Sequence, residues 1–341
     1  MIRSAGIGSL PGVDVREAMS TVTGEFPDAV WLPELPSRGV GADMLGRAAS
    51  LLAVVSEDFA VATTPTGWRF SDKPGAAVRR AQAFLREDLD VFEEFCHMAN
   101  SEVKVQIAGP VTLGATIELP RGERAVKDIG AMRDLVGAHR EAVLAHLRDV
   151  QRRVPSARMI VQIDEPAMDA ALRGLLPTAS GFSRLRALEE PLVRAWHQEL
   201  VAAITSTGAV AWLHSCAPHW PLELATAAKY AGISGDFSLV RDADDEAFGV
   251  AVERGVSIIA GVIPADTASL KTAPRTEEPT VAPIRARFQR IGFNDQSLAN
   301  SVIISTTCGL GRATWPAARI AMQRTNAAAH VLRDQLQDVH D

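Results

Sequence analysis

Three residues with metal-binding side chains, His214, Cys216 and Cys308, lie at the ends of two apolar segments. His214 and Cys216 are two positions apart in AVAWLHSC, and Cys308 ends SVIISTTC. Side chains two positions apart on a strand point to the same face, so this pair can share a metal ion to which Cys308 adds a third ligand. Imidazole and thiolate ligands favour zinc. The competing interpretation of the pair is a buried histidine beside a core cysteine, which is also how we interpret Cys96 in its helical pattern.

The best-placed fourth ligand is a carboxylate on another apolar segment, Asp236 in ISGDFSL. His219 and Glu223 are alternatives, but they follow the segment that carries Cys216 and would face the site less directly. An aspartate at this point of the chain can instead cap a helix or fix a loop. The sequence therefore favours Asp236 and leaves the other two open.

This ligand set indicates chemistry on a thiol. Two thiolates and a carboxylate more than neutralise a divalent ion, which makes the ion a weak activator of water and a good partner for a soft anion. A substrate thiol bound to such an ion loses its proton and still reacts with a methyl group. The expected reaction is therefore the transfer of a methyl group to a thiol.

Polar residues at the ends of other segments can hold the rest of the substrate. Glu34, Asp164 and Glu165 suit an ammonium group, and the Ser9 hydroxyl with nearby backbone N–H groups suits a carboxylate. An amino acid that bears a thiol offers both groups. The alternative for at least one of Asp164 and Glu165 is a salt bridge that supports the fold.

Eight short apolar runs, each followed by a break and then an amphipathic helical pattern, must position these residues. They are residues 2–9, 29–35, 103–109, 158–164, 209–216, 233–239, 256–263 and 301–308. The alternation predicts an α/β fold, a (β/α)8 TIM barrel, as one catalytic domain over residues 1–341, and barrels of this kind carry their sites at the carboxyl ends of the strands. An open doubly wound sheet is the alternative, but the first turn, GIGSLPG, places a proline where a dinucleotide-binding helix would begin.

Two segments, residues 36–75 and 264–283, are too long for simple connections, and long loops usually cover a site. The net charge of −6 and the lack of a long basic run argue against nucleic acid as a partner. The sequence has no uninterrupted apolar stretch of about 18 residues, so no membrane span is expected. Three cysteines are too few for a disulfide framework in a chain of this length, and we expect a cytoplasmic protein.

Several motifs resemble the catalytic barrel of the cobalamin-independent methionine synthase family. They are IGSLP (7–11), KVQIAGPVTL (104–113), QIDEPA (162–167), HSC (214–216), CGL (308–310) and WP (315–316). The resemblance implies zinc on the two cysteines and the histidine named above. It also implies homocysteine held by Ile7, Ser9, Glu34 and Asp164, and a methylated folate polyglutamate as the methyl donor.

The sequence departs from that family in three ways. We expect no second, N-terminal barrel to help hold folate, so the donor stays open between methylfolate and a methyl-corrinoid or other carrier. The family has a histidine after the seventh strand, thought to protonate the departing folate, whereas GVIPADT (261–267) has none and Asp266 is the nearest acid. Asp164 and Asp266 are therefore the candidate catalytic carboxylates. Asp236 stands where the family has a glutamate ligand.

Two other functions fit a barrel of this kind. A metal-free enzyme similar to uroporphyrinogen decarboxylase would need inward-facing arginines for several substrate carboxylates, whereas the strand ends here offer acids and thiols. A non-catalytic barrel that binds a small thiol or a metal is the other alternative.

Overall fold

Strands and helices alternate along the chain in a computed structural model, which describes residues 2–56, 59–98, 101–274 and 276–337. The described strands are β1 (Arg3–Ser4), β2 (Ala29–Trp31), β3 (Val61–Thr64), β4 (Gly67–Phe70), β5 (Glu102–Ala108), β6 (Arg158–Asp164), β7 (Val210–His214), β8 (Gly232–Asp236), β9 (Ser257–Ile263) and β10 (Val302–Thr306). The described α-helices are α1 (Val15–Glu25), α2 (Met44–Val55), α3 (Ala76–Cys96), α4 (Pro110–Thr116), α5 (Ile129–Arg153), α6 (Met168–Leu172), α7 (Glu190–Thr205), α8 (Leu222–Ala227), α9 (Asp245–Glu253), α10 (Thr267–Thr272), α11 (Glu278–Arg290), α12 (Asp295–Ser301) and α13 (Trp315–Gln337).

Within the described residues, eight strands form one parallel sheet in the spatial order β1-β10-β9-β8-β7-β6-β5-β2. The segments that follow β1 and β2 meet and close the ring. The Leu10 N–H donates to Glu34 O at 2.8 Å, and the Glu34 N–H donates to Gly8 O at 3.3 Å. The predicted (β/α)8 barrel is confirmed, while the extent of its domain over residues 1–341 stays a prediction.

The barrel strands are apolar because both faces of a parallel sheet are covered. Each residue of β6 after Arg158 is buried, and β10 is buried throughout. Parallel pairing places Asp164, His214 and Ser234 side by side on β6, β7 and β8. The register thus brings polar residues from three strands to one level near the carboxyl end.

Amphipathic helices cover the outside of the barrel, and several of them begin at acidic caps. The Asp128 carboxylate accepts a hydrogen bond from the Ala131 N–H at the start of α5. Asp14 accepts from the N–H groups of Arg16 and Glu17 at the start of α1. These bonds satisfy N–H groups that have no partner inside the helix. No described helix has the length and apolar character needed to cross a membrane.

The first two strands are shorter than the apolar runs 2–9 and 29–35 that predict them. Here the ring closes, and Gly6 packs directly on the Trp31 ring. A Cβ added at Gly6 would lie 2.3 Å from that ring, a contact that only glycine tolerates. Close packing therefore replaces a regular ladder in this part of the barrel.

The two segments expected to be long loops contain regular elements. Residues 36–75 include α2, which packs on α3 and α5, and the antiparallel hairpin β3–β4. Residues 264–283 include α10 and the start of α11. Ala48, Ala49 and Leu52 of α2 are buried, whereas Val54 on the same helix is exposed. Residues 57–58 and 275 of these segments lie outside the described residues.

Candidate metal centre

His214, Cys216 and Cys308 lie together at the carboxyl end of the barrel. The Cys216 Sγ lies 2.9 Å from the Cys308 Sγ and 3.4 Å from His214 Nε2, and the Cys308 Sγ lies 4.0 Å from His214 Nε2. The three ligand atoms all fall within 4.8 Å of one another, a group that could hold a metal ion. The structure thus brings together the three residues that the sequence predicted to share one.

The imidazole of His214 is held in one orientation. Its Nδ1 lies 2.9 Å from the Ser234 Oγ on the neighbouring strand β8, and the Ser215 N–H donates to Ser234 O at 3.0 Å. A partner on one ring nitrogen fixes the ring and frees the other nitrogen for a metal. Ser234 was not among the residues predicted from sequence, although its position two residues before Asp236 places both on one strand face.

Hydrogen bonds couple the protonation of the three side chains. The bond from Cys216 lowers the pKa of Cys308, and the same bond, together with burial, raises the pKa of Cys216. Burial acts to lower the pKa of His214, but its bond with Cys308 and the charge of Asp164 raise that pKa above its ordinary value. Because metal ligands must be deprotonated, a divalent cation that binds here would displace these protons.

Asp236 caps a short helix at the end of β8. Its Oδ1 accepts hydrogen bonds from the Ser238 N–H at 2.9 Å and the Ser238 hydroxyl at 2.6 Å. Of the two alternative ligands, His219 has its Nδ1 3.1 Å from Asp169 Oδ1, and Glu223 lies in the first turn of α8. The capping interpretation of Asp236 fits this geometry, and its role as the fourth ligand stays a prediction.

Two buried carboxylates, Glu34 and Asp164, lie at the same end of the barrel. Burial raises the pKa of Glu34 to about 7 and that of Asp164 to about 6. Gln162 Nε2 donates to Asp164 Oδ1 at 2.7 Å, whereas Glu34 Oε1 is buried without a hydrogen-bond partner in the described part of the chain, and Arg47 Nε lies 3.7 Å from it. Ser9 pairs with Glu34 in the β-bridge that closes the barrel. An ammonium donor would satisfy the free carboxylate oxygen.

The carbonyl oxygen of Ile7 accepts two hydrogen bonds inside the barrel. Lys104 Nζ donates to it at 2.6 Å and Gln162 Nε2 at 3.0 Å, and Lys104 also donates to Gln106 Oε1 at 3.3 Å. Lys104, Gln106 and Gln162 were not among the site residues predicted from sequence. Their signal was a polar side chain at alternate positions of otherwise apolar strands.

Glu165 supports the fold, which is the alternative role that the sequence offered for at least one of Asp164 and Glu165. It is fully buried and accepts hydrogen bonds from the Val111 N–H at 3.0 Å, the Thr112 N–H at 2.7 Å and the Thr112 hydroxyl at 2.6 Å. These donors belong to the first turn of α4, and His197 Nε2 lies 3.4 Å from Glu165 Oε1 on the other side. Glu165 therefore ties the GPVT segment to the end of β6.

Asp266 caps α10 and is exposed. It accepts hydrogen bonds from the N–H groups of Ala268 and Ser269, and the side-chain and backbone bonds of Ser269 lower its pKa. A carboxylate with a lowered pKa is ionised near neutral pH and holds no proton to donate, so the catalytic role of Asp266 stays a prediction that this geometry does not favour. Asp266 and Asp236 line a cavity of about 750 Å³ between β8, β9 and α11.

Solved structures with a similar fold include a B12-independent methionine synthase from Shewanella sp. W3-18-1 in complex with selenomethionine. It superposes with a TM-score of 0.63 at 12% sequence identity, over 99% of this chain and 99% of that chain. A family 20 glycoside hydrolase, a β-N-acetylglucosaminidase, gives a TM-score of 0.46 at 13% identity over 96% of this chain and 69% of that chain. The first of these likenesses shows the fold. A comparison with curated proteins found no match.

The sequence profile of one family, described as the catalytic domain of cobalamin-independent synthase, matches residues 59–331. This range covers most of the barrel, from β3 to α13, and contains all three side chains of the metal group. The chain therefore belongs to the cobalamin-independent synthase catalytic domain family.

Proposed function

We propose that the protein is a zinc-dependent S-methyltransferase that methylates the thiol of homocysteine to give methionine. The observation that carries this proposal is the convergence of His214 Nε2 and the two thiols of Cys216 and Cys308 from β7 and the end of β10. Family membership supports the same reaction class.

The donor set fits zinc better than a hard cation. Two sulfur atoms and one imidazole nitrogen suit a borderline-soft ion, and Ser234 supports the ligating histidine. When bound, zinc would supply a substrate thiolate that forms near neutral pH and remains nucleophilic. We keep Asp236 as the proposed fourth ligand.

The side chains around Glu34 support the binding of an amino acid. Glu34 and Asp164 carry acceptors for an ammonium group, and binding a cation would favour their ionised forms despite burial. We assign the substrate carboxylate to the Ser9 hydroxyl and neighbouring N–H groups. These contacts would hold the thiol at the metal centre and exclude water from it.

The methyl donor is either a methylfolate or a methyl-corrinoid carrier. The 750 Å³ cavity beside Asp236 lies in the size range of small-molecule sites, so a free donor of folate size has room there. We place the protein in the cytoplasm, where thiols such as Cys216 and Cys308 stay reduced.

Metal analysis tests the zinc half of the proposal. We expect the purified protein to hold zinc, the Cys216→Ser and Cys308→Ser variants to lose it, and the matched Cys96→Ser variant to keep it, since Cys96 is buried in α3 away from this group. If both site variants bind added zinc as tightly as the wild type, the proposal is wrong.

Isotope transfer tests the methyl half. The zinc protein is incubated with homocysteine and either labelled methyltetrahydrofolate or labelled methylcobalamin, and the expected product is labelled methionine from one of them. Binding of zinc and homocysteine without transfer from either donor would instead support the non-catalytic barrel.

A further inference from the structure

Lys104 is a buried cation near the two carboxylates of the proposed amino-acid pocket. Its side chain is carried on β5, faces the barrel interior and is 4% exposed. Its charge interacts with both Asp164 and Glu34. Burial lowers the pKa of Lys104 to about 8, so the side chain is still a cation at pH 7.

The hydrogen bonds of Lys104 place this charge next to residues 7–9, the segment to which we assign the substrate carboxylate. Its Nζ donates to Ile7 O at 2.6 Å, and Ile7 is two residues before Ser9. Gln162 completes the link, because its amide donates both to Ile7 O at 3.0 Å and to Asp164 Oδ1 at 2.7 Å. One lysine thus supports the backbone at the carboxylate end and offsets the acids at the ammonium end.

Other cations near this pocket already have carboxylate partners. Arg47 lies 3.7 Å from Glu34 but donates to Asp88 Oδ2 at 2.6 Å, and Arg38 donates to the same oxygen at 2.7 Å. Asp88 is fully buried between the two guanidinium groups. Within the described residues, the hydrogen bonds of Lys104 go to a carbonyl and an amide oxygen and not to a carboxylate. Removing Lys104 would therefore add one uncompensated negative charge to the pocket.

We propose that Lys104 is a specificity-determining residue, whose charge selects thiols that carry both an ammonium and a carboxylate group over thiols that carry an ammonium group alone. This inference rests on the proposed function. In the wild type, the cation attracts the ligand carboxylate and moderates the pull of Glu34 and Asp164 on the ammonium group. Without it, the pocket repels the carboxylate and binds a simple aminothiol relatively better.

The test compares two thiols on the zinc-loaded protein at pH 7. The dissociation constants of homocysteine and of 3-mercaptopropylamine, which lacks the carboxylate, are measured by calorimetry for the wild type, Lys104→Met and the surface control Lys127→Met. We expect the ratio of the homocysteine constant to the 3-mercaptopropylamine constant to rise about tenfold in Lys104→Met and to stay unchanged in Lys127→Met. A general loss of structure would weaken the binding of both thiols and leave the ratio of their dissociation constants unchanged.

A second variant covers the case in which Lys104→Met does not fold. Lys104→Gln keeps a donor for Ile7 O and removes the charge, and we expect the same shift in the ratio. A ratio within twofold of the wild type in a folded Lys104 variant overturns the inference while leaving the proposed function intact. If the wild type binds neither thiol, the proposed function and this inference both fail.

Discussion

Acid should destabilise the protein through a buried histidine on α5. His146 is 5% exposed, and burial, with a smaller contribution from the charge of Arg47, lowers its pKa from 6.5 to about 4. The unfolded chain therefore binds a proton at His146 near pH 6.5, whereas the folded chain binds it only near pH 4. Between these values the unfolded state holds more protons, so the free energy of unfolding falls as the pH falls.

The size of the effect follows from the two pKa values. The full difference between the two pKa values corresponds to a loss of about 3 kcal/mol in the free energy of unfolding once the pH is below 4. About 2 kcal/mol of this loss occurs between pH 8 and pH 5. Replacing His146 with Gln removes this titration. We expect the variant to lose about 2 kcal/mol less free energy of unfolding than the wild type over the same pH interval.

Urea unfolding at pH 8 and pH 5 measures this difference. The change between the two pH values is taken within each protein, so a constant effect of the substitution cancels. Any pH-dependent effect that the wild type and the variant share cancels when their two changes are compared. The control is His330→Gln, since His330 is exposed on α13. If His146→Gln loses as much free energy between the two pH values as the wild type, burial of this imidazole is not a source of acid sensitivity.

Three further outcomes are expected. Ser234→Ala removes the partner of His214 Nδ1 and should weaken zinc binding about 10- to 100-fold in a chelator competition, whereas unchanged affinity would show that the ring is fixed by other contacts. Gly261→Ala places a Cβ 2.5 Å from a backbone oxygen of β8 and should lower the free energy of unfolding, measured in urea, by about 1–3 kcal/mol or more. The control is Gly249→Ala, whose added Cβ has its closest neighbour at 3.9 Å and which should be neutral or stabilising. Glu165→Gln removes a buried charge that accepts three hydrogen bonds and should cost about 2–4 kcal/mol of unfolding free energy, and a loss below about 0.5 kcal/mol would contradict its role in holding α4.

The metal group was predictable from sequence because its signal is local. His214 and Cys216 share a strand face through their spacing, and Cys308 ends another apolar run. In a parallel barrel all carboxyl ends meet at one rim, so residues 92 positions apart, Cys216 and Cys308, become neighbours without further information. The same reasoning brought Glu34 and Asp164 to the correct end of the barrel.

The supporting residues were not predictable in this way because their partners are distant in sequence. Lys104 contacts Ile7 across 97 positions and Gln162 contacts Ile7 across 155 positions. The hydrophobic pattern of a strand does not specify which carbonyl oxygen accepts a hydrogen bond from a buried lysine. The helix and hairpin within residues 36–75 were missed because their apolar residues were interpreted as a covering loop.

The sequence by itself determined the barrel, its family resemblance and the three metal-binding side chains, since strand period and strand order are properties of the chain. Only the tertiary structure showed that the two acids of the QIDEPA motif have different positions. Asp164 faces the site, and Glu165 holds α4. The tertiary structure also decided that Asp236 caps a helix and that Lys104 donates to the Ile7 carbonyl inside the barrel. The physical reason is that hydrogen-bond partners in a closed barrel are set by the register and curvature of all the strands together, which no single segment encodes.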